Sequence, residues 1–270
     1  MAVRLFRKTG NIISESTDFA DIFDEWKGKN ERWLFISPHD DDVVIASGIL
    51  LQKAVEEKID IRVVVSTDGS MGYCDTTYMN DIAGTRCSET KESFALFGIN
   101  DIVFFGFPDT QLYHFAGRRK AEKDDPYIVN DFTGLQNAYT FQMRDFRPTR
   151  IFVPSGADLH PDHKITYQET LISLFHCGSS IWPELGDPLS ETPLLHEMAV
   201  YCDFIGPPDV KVQGDDANLE KKLAAISAYR SQEKVIDALV TKLRSSGPSE
   251  YFRDAEFNLY SPANYSDLFS

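Results

Sequence analysis

The chain has 270 residues, enough for one large α/β domain with a sizeable core. Hydrophobic residues make up 42% and charged residues 26%, too apolar a balance for a disordered chain. Lys plus Arg is 27 against 42 Asp plus Glu, a formal charge of −15, which argues against a duplex nucleic-acid partner. No apolar run approaches the ~20 residues a bilayer span needs, so no membrane anchor is expected. The first 18 residues carry basic side chains but no apolar stretch behind them, unlike a secretory leader. Cys74, Cys87, Cys177 and Cys202 form no C-x-x-C pair and read as reduced thiols of a cytoplasmic protein.

Short β-rich runs alternate with longer amphipathic stretches. Trp33–Ser37 reads as a strand, followed by a helix over Val44–Glu57 and a second strand over Ile61–Ser66. A long loop, 68–84, leads to a helix over Thr85–Phe97 and a third strand over Ile102–Phe105. A second long loop, 113–130, holds Arg118, Arg119, Lys120 and Lys123, either a solvated surface or an anion contact. A helix over Leu135–Phe146 then precedes a strand over Arg150–Pro154 and a helix over Ile165–Phe175. A fifth strand is expected over Met198–Phe204, and a helical stretch over Ala217–Arg244, broken near Tyr229-Arg230-Ser231. The strands are nearly continuous apolar blocks, as in parallel sheets buried on both faces. The alternation predicts a three-layer α/β/α sandwich with a mostly parallel, Rossmann-like sheet, and a single domain over 1–270.

Two clusters carry chemistry. Ser37-Pro38-His39-Asp40-Asp41-Asp42 follows the first strand, where open parallel sheets bind ligands. Three adjacent carboxylates repel one another, and a divalent cation would remove that conflict. Asp41 or Asp42 also suits a helix N-terminus, which explains one aspartate but not the set. His160-Pro161-Asp162-His163 follows the fourth strand; Pro161 suits a helix start and Asp162 a cap. Catalytic zinc sites use three His or Asp/Glu ligands and leave a position open. His39, one of Asp40 to Asp42, and His160 or His163 would supply them. A remaining aspartate could serve as general base and a remaining histidine as acid or oxyanion partner.

At these residues the chain resembles the LmbE-like (PIG-L) family of zinc-dependent N-deacetylases. The resemblance spans about 33–235 and includes Arg86 and Glu89 in an R-x-x-E pattern, Phe107-Pro108-Asp109, Phe146-Arg147-Pro148 and Ser231-Gln232. Asp40 stands where the family commonly has Pro, and Val43 where many members have Glu. The resemblance implies that His39, Asp42 and His163 bind zinc and that Asp41 is the general base. It implies that His160, oriented by Asp162, stabilises the oxyanion or protonates the leaving amine. Arg86 and Asp109 become candidate substrate-binding residues, the alternatives being a structural Arg–carboxylate pair and a loop-capping Asp. Fe(II) would also suit a His/His/Asp site.

The implied reaction removes an N-acetyl group from an N-acetylglucosamine-type amino sugar or its conjugate, releasing acetate and a free amine. The partner is then a small-molecule amino sugar. The competing readings are a related metallohydrolase acting on another amide or ester, and a non-catalytic carbohydrate-binding protein with a retained metal site. The pairing of Asp41 with a ligand set speaks against the last, because binding alone has no use for a base.

Overall fold

A computed structural model of the chain describes residues 3–268. The elements in chain order begin with a hairpin, β1 (Arg4–Thr9) and β2 (Ile12–Ser16), then β3 (Arg32–Ser37), α1 (Asp42–Glu56), β4 (Asp60–Thr67) and α2 (Ile82–Ala95). They continue with β5 (Ile102–Phe107), the short β6 (Arg119–Lys120) and β7 (Phe132–Thr133), α3 (Leu135–Phe146), β8 (Arg150–Pro154) and α4 (Pro161–Cys177). The last are β9 (Leu194–Met198), β10 (Val210–Gln213), α5 (Asp216–Ile226), α6 (Glu233–Ser246) and β11 (Ser249–Ala255).

This is a mixed α/β fold around one nine-stranded sheet, ordered β2-β1-β10-β11-β9-β8-β3-β4-β5. The five strands from β9 to β5 pair in parallel, and the rest extend the sheet antiparallel from β9. The antiparallel extension uses β1, β2, β10 and β11, none of which the sequence reading anticipated.

The apolar blocks of the parallel strands have a simple cause. Side chains alternate across a strand, and here both faces are covered. Trp33, Phe35, Val63 and Val65 enter one core with Ile49 and Leu50 of α1 and Leu223 of α5. Leu34, Ile36 and Val64 enter a second core with Tyr139 and Met143 of α3 and Leu174 of α4. Each such side chain contributes roughly 1.5–3 kcal/mol of burial, so the sheet that carries the site is held from both faces.

Most expected elements fall close to their bounds, but the fifth strand does not. It covers Leu194–Met198, ending where its parallel partner ends, at the Pro154–Met198 pair. Residues 199–204 have no strand left to pair with and leave the sheet as a loop. The last helical stretch is two helices, separated by a 3-10 turn at Arg230–Gln232. Ser231 donates its N–H and its hydroxyl to Glu89 of α2, at 2.9 and 2.7 Å. The break therefore braces α2, and Ser231 caps no helix. Among the described residues, no helix is long and apolar enough to cross a membrane.

Candidate active site

The C-terminal ends of the parallel strands deliver the two motifs to one place, as open α/β sheets do. Ser37 ends β3, and the chain turns through His39 and Asp41 into α1, whose first residue is Asp42. Asp41 occupies the N-cap position but its carboxylate makes no capping bond, so it remains available for other work. In the second motif His160 is the N-cap of α4 and Pro161 its first residue. The cap is thus His160, not Asp162: its Nδ1 accepts the Asp162 backbone N–H at 3.2 Å.

Asp42 Oδ2 accepts the His39 N–H at 2.9 Å and the Ser37 hydroxyl at 3.2 Å. The same oxygen lies 3.4 Å from His39 Nδ1 and 3.4 Å from His163 Nε2, and those two nitrogens are 3.3 Å apart. Tetrahedral ligands at bonds of ~2.0–2.1 Å would stand about 3.3–3.4 Å apart. The three atoms therefore form one face of a tetrahedron of the right size for a small cation. Other atom sets also gather near His39, one with His160 and His163 and one with Asp109 and Asp162, each within 4.8 Å. In the Asp42 set, both histidines have a carboxylate near the opposite ring nitrogen. His39 Nε2 faces Asp109 Oδ1 at 3.2 Å and Asp162 Oδ2 at 3.5 Å. His163 Nδ1 faces Asp158 Oδ2 at 3.1 Å. A carboxylate behind an imidazole is the arrangement that orients a histidine able to bind a metal.

Charge points the same way. Asp40, Asp41, Asp42, Asp109, Asp158 and Asp162 are all buried here, with Arg86 as the buried arginine among them. Burial alone would lower the His39 pKa, yet Asp42, Asp109 and Asp162 hold it well above 6.5. His163 is likewise pushed up to about 9 against its burial, by Asp42 and Asp158. Burial pushes Asp41 up to about 6; Arg86 opposes the rise, and the charges of Asp40 and Asp42 add to it. Burial, with the nearby charges of His39 and His163, lowers His160. Burial would raise Asp158, but His163 and the N–H groups of His160 and Tyr201 hold it at about 2. These groups could hold a metal ion, whose positive charge would replace the protons otherwise drawn onto the imidazoles.

Asp162 contacts His160 through its main-chain N–H and not through its carboxylate. That carboxylate accepts the Thr110 N–H at 2.8 Å and the Leu112 N–H at 3.3 Å while facing His39. Of the two roles weighed for Arg86, substrate contact or a structural Arg–carboxylate pair, the structure shows the pair, with Asp40. Its Nε donates to Asp40 Oδ2 at 3.0 Å, its Nη2 to Oδ1, and its Nη1 to the Gly72 carbonyl at 3.1 Å. Thr90 and Tyr229 complete the hold on Asp40. This explains an acidic residue at position 40: it anchors the motif to α2. A Cβ at Gly72 would come within 2.1 Å of Arg86 Nη1, so the loop lies this close only with glycine there.

A cavity of about 140 Å³ opens over the cluster, floored by His39, Asp41, Asp109 and His160. Met71 and Gly72 of the 68–84 loop, Thr110, Tyr201 and Gln232 form its walls. Asp109 thus faces both the cavity and His39, while its Oδ2 accepts the Met71 N–H at 3.1 Å. The basic cluster of the other long loop is largely neutralised nearby: Arg118 pairs with Glu184, and Arg119 pairs with Asp125. Sequence reasoning missed Asp158 and Tyr201. Asp158 lies two residues before His160, a carboxylate close enough in sequence to have been weighed. Tyr201 falls in the stretch expected as the fifth strand, and its ring packs on His163 at 4.9 Å.

Fold and site together define an α/β protein with a His/Asp metal-type centre at the strand ends. The chain belongs to the GlcNAc-PI de-N-acetylase (PIG-L) family, an N-deacetylase family whose pattern matches residues 34–173. It is 35% identical over 105 residues to the diacetylchitobiose deacetylase of Thermococcus kodakarensis, covering 37% of this chain and 39% of that protein. That match therefore spans well under half of the relative's length. It is 24% identical over 212 residues to the probable N-acetyl-alpha-D-glucosaminyl L-malate deacetylase 2 of Bacillus cereus, covering 75% of this chain and 84% of the relative. The structure superposes on the N,N'-diacetylchitobiose deacetylase of Pyrococcus horikoshii with a TM-score of 0.69, at 24% identity and 88% coverage of each chain.

Proposed function

We propose that this protein is a zinc-dependent hydrolase. It removes the N-acetyl group from an N-acetylglucosamine-type amino sugar or its conjugate and releases acetate and a free amine. The observation that carries the reading is the triangle of His39 Nδ1, Asp42 Oδ2 and His163 Nε2, next to an Asp41 carboxylate that makes no capping bond and lies 3.5 Å from Arg86. Membership of an N-deacetylase family and the names of the relatives support the choice of reaction.

His39, Asp42 and His163 would hold the ion, for which Fe(II) is the alternative to zinc. When bound, zinc supplies Lewis acidity toward an amide carbonyl and toward water. Asp41 takes the proton of the attacking water as its oxygen bonds to the carbonyl carbon. His160 Nδ1 accepts an N–H, which leaves Nε2 as the protonated nitrogen. His160 lines the cavity, and that N–H would serve as a donor to the developing oxyanion. As the C–N bond breaks, the leaving nitrogen needs one proton, and Asp41 holds the one taken from water. Asp109 has a cavity-facing carboxylate suited to sugar hydroxyls; Arg86 acts by holding Asp40 and the Gly72 carbonyl in place.

The cores on both faces of the sheet support a three-layer α/β/α arrangement within a single domain. Four free cysteines support a reducing, cytoplasmic setting. The test is metal analysis of the purified protein combined with acetate release from a panel of N-acetylglucosamine conjugates. Stoichiometric zinc and acetate release are expected. If no divalent ion is bound and none confers turnover, the reading fails.

A further inference from the structure

The cavity has two unlike parts. Its floor is acidic, and its lip carries large apolar side chains in solvent. Met71 and Tyr201 line the cavity yet are 59% and 55% exposed. Large side chains left in water beside a charged cleft mark a surface that gains by being covered.

The charges decide what kind of group can cover it. Among the described residues, Arg86 is the one fixed cation lining the cavity. It is only 3% exposed and engaged by Asp40, the Gly72 carbonyl and, at 3.5 Å, Asp41. With Asp40 cancelled by Arg86, five buried carboxylates remain: Asp41, Asp42, Asp109, Asp158 and Asp162. A divalent cation offsets two of those charges and leaves the floor negative. The whole chain, at −15, adds to that field. A carboxylate or phosphate on the substrate would enter this cleft without a partner.

We propose that the site selects amino sugars whose attached group is uncharged and turns an apolar face to Met71 and Tyr201, and that it discriminates against conjugates with an anionic attached group. The inference rests on the N-deacetylase reading for the sugar itself. It adds the chemistry of the attached group and two residues that read it.

The test is calorimetric binding of three probes to the zinc-loaded full chain: the methyl, phenyl and malyl glycosides of N-acetylglucosamine. Acetate release is followed separately. The phenyl glycoside should bind at least tenfold more tightly than the methyl one, and the malyl glycoside at least tenfold more weakly. Met71→Ser should shrink the phenyl advantage to threefold or less. Met71→Lys should improve malyl binding while weakening phenyl binding. Met71 is exposed, so neither variant burdens folding. Malyl binding equal to or tighter than methyl, a phenyl advantage below twofold, or unchanged ratios in both variants would overturn the proposal. The expected binding order with no acetate released from any probe would uphold the selectivity and overturn the deacetylase reading.

Discussion

Asp158 Oδ2 stands 3.1 Å from His163 Nδ1, on the opposite side of the ring from the nitrogen that faces Asp42. The same carboxylate accepts the His160 N–H at 3.0 Å and the Tyr201 N–H at 3.3 Å. One side chain therefore fixes the tautomer of a proposed ligand, the turn that bears His160, and the loop that brings Tyr201 over the site.

Removing that charge while keeping the shape should weaken metal binding more than folding. Carboxylates behind a ligating histidine are worth 10–100-fold in metal affinity. Asp158→Asn is expected to lose affinity in that range, read by competition with a chromogenic chelator, with little change in thermal midpoint. Unchanged affinity would show that the Asp158 contact does no more than shape the loop.

Asp40 and Arg86 form a buried ion pair, with side chains 4% and 3% exposed. Breaking such a pair leaves an uncompensated charge and costs about 3–5 kcal/mol. Arg86→Met should destabilise the protein by that amount in urea unfolding. The double variant Asp40→Leu with Arg86→Met should be less damaged than the single, because neither charge is stranded. A single variant that loses under 1 kcal/mol would contradict the burial of the pair.

Asp41 and Asp42 are neighbours in sequence with opposite expected phenotypes. Asp41→Asn should retain stoichiometric metal and lose turnover by at least a hundredfold, since the base is gone and the ligands remain. His163→Ala and Asp42→Ala should lose the metal itself. Metal analysis beside acetate release separates the two outcomes. An Asp41→Asn variant that arrives without metal would reassign Asp41 to the ligand set.

The parallel half of the fold was readable because its strands are buried on both faces, so apolar blocks such as Trp33–Ile36 stand out without any alternation. The antiparallel half was not. β2 is exposed along most of its length, and β10 has four residues, Val210 and Val212 alternating with Lys211 and Gln213. Gly10-Asn11 between two short runs is a weak hairpin signal, and Gly10 has the positive φ of 61° that such a turn favours. At the site, motif spacing located the chemistry but could not assign partners across the sheet. Arg86 pairs with Asp40 over 46 positions, and Glu89 with Ser231 over 142. Contacts at that separation follow from topology, and a single sequence does not carry them.

Away from the site, His196 links the two halves of the sheet. Its Nδ1 lies 2.8 Å from Asp254 Oδ1 of β11, its Nε2 lies 3.4 Å from Arg150 Nη1 of β8, and Arg7 of β1 donates to Asp254 at 2.7 Å. Burial holds the His196 pKa below its usual 6.5, although Asp254 pulls the other way; Arg150 and Arg7 add to the lowering. The folded protein thus keeps this imidazole neutral where the unfolded chain would protonate it. Below pH ~6.5 the unfolded state binds the extra proton, so stability falls as pH drops toward the folded value. Burial would raise Asp254, but His196 and the arginines hold it below 3.8, so its contribution persists above that pH and is lost only on further acidification. His196→Gln should therefore flatten the decline in thermal midpoint between pH 7 and 5 relative to the parent protein, both zinc-loaded. Equal slopes in that window would mean that the folded protein protonates His196 as readily as the unfolded chain does.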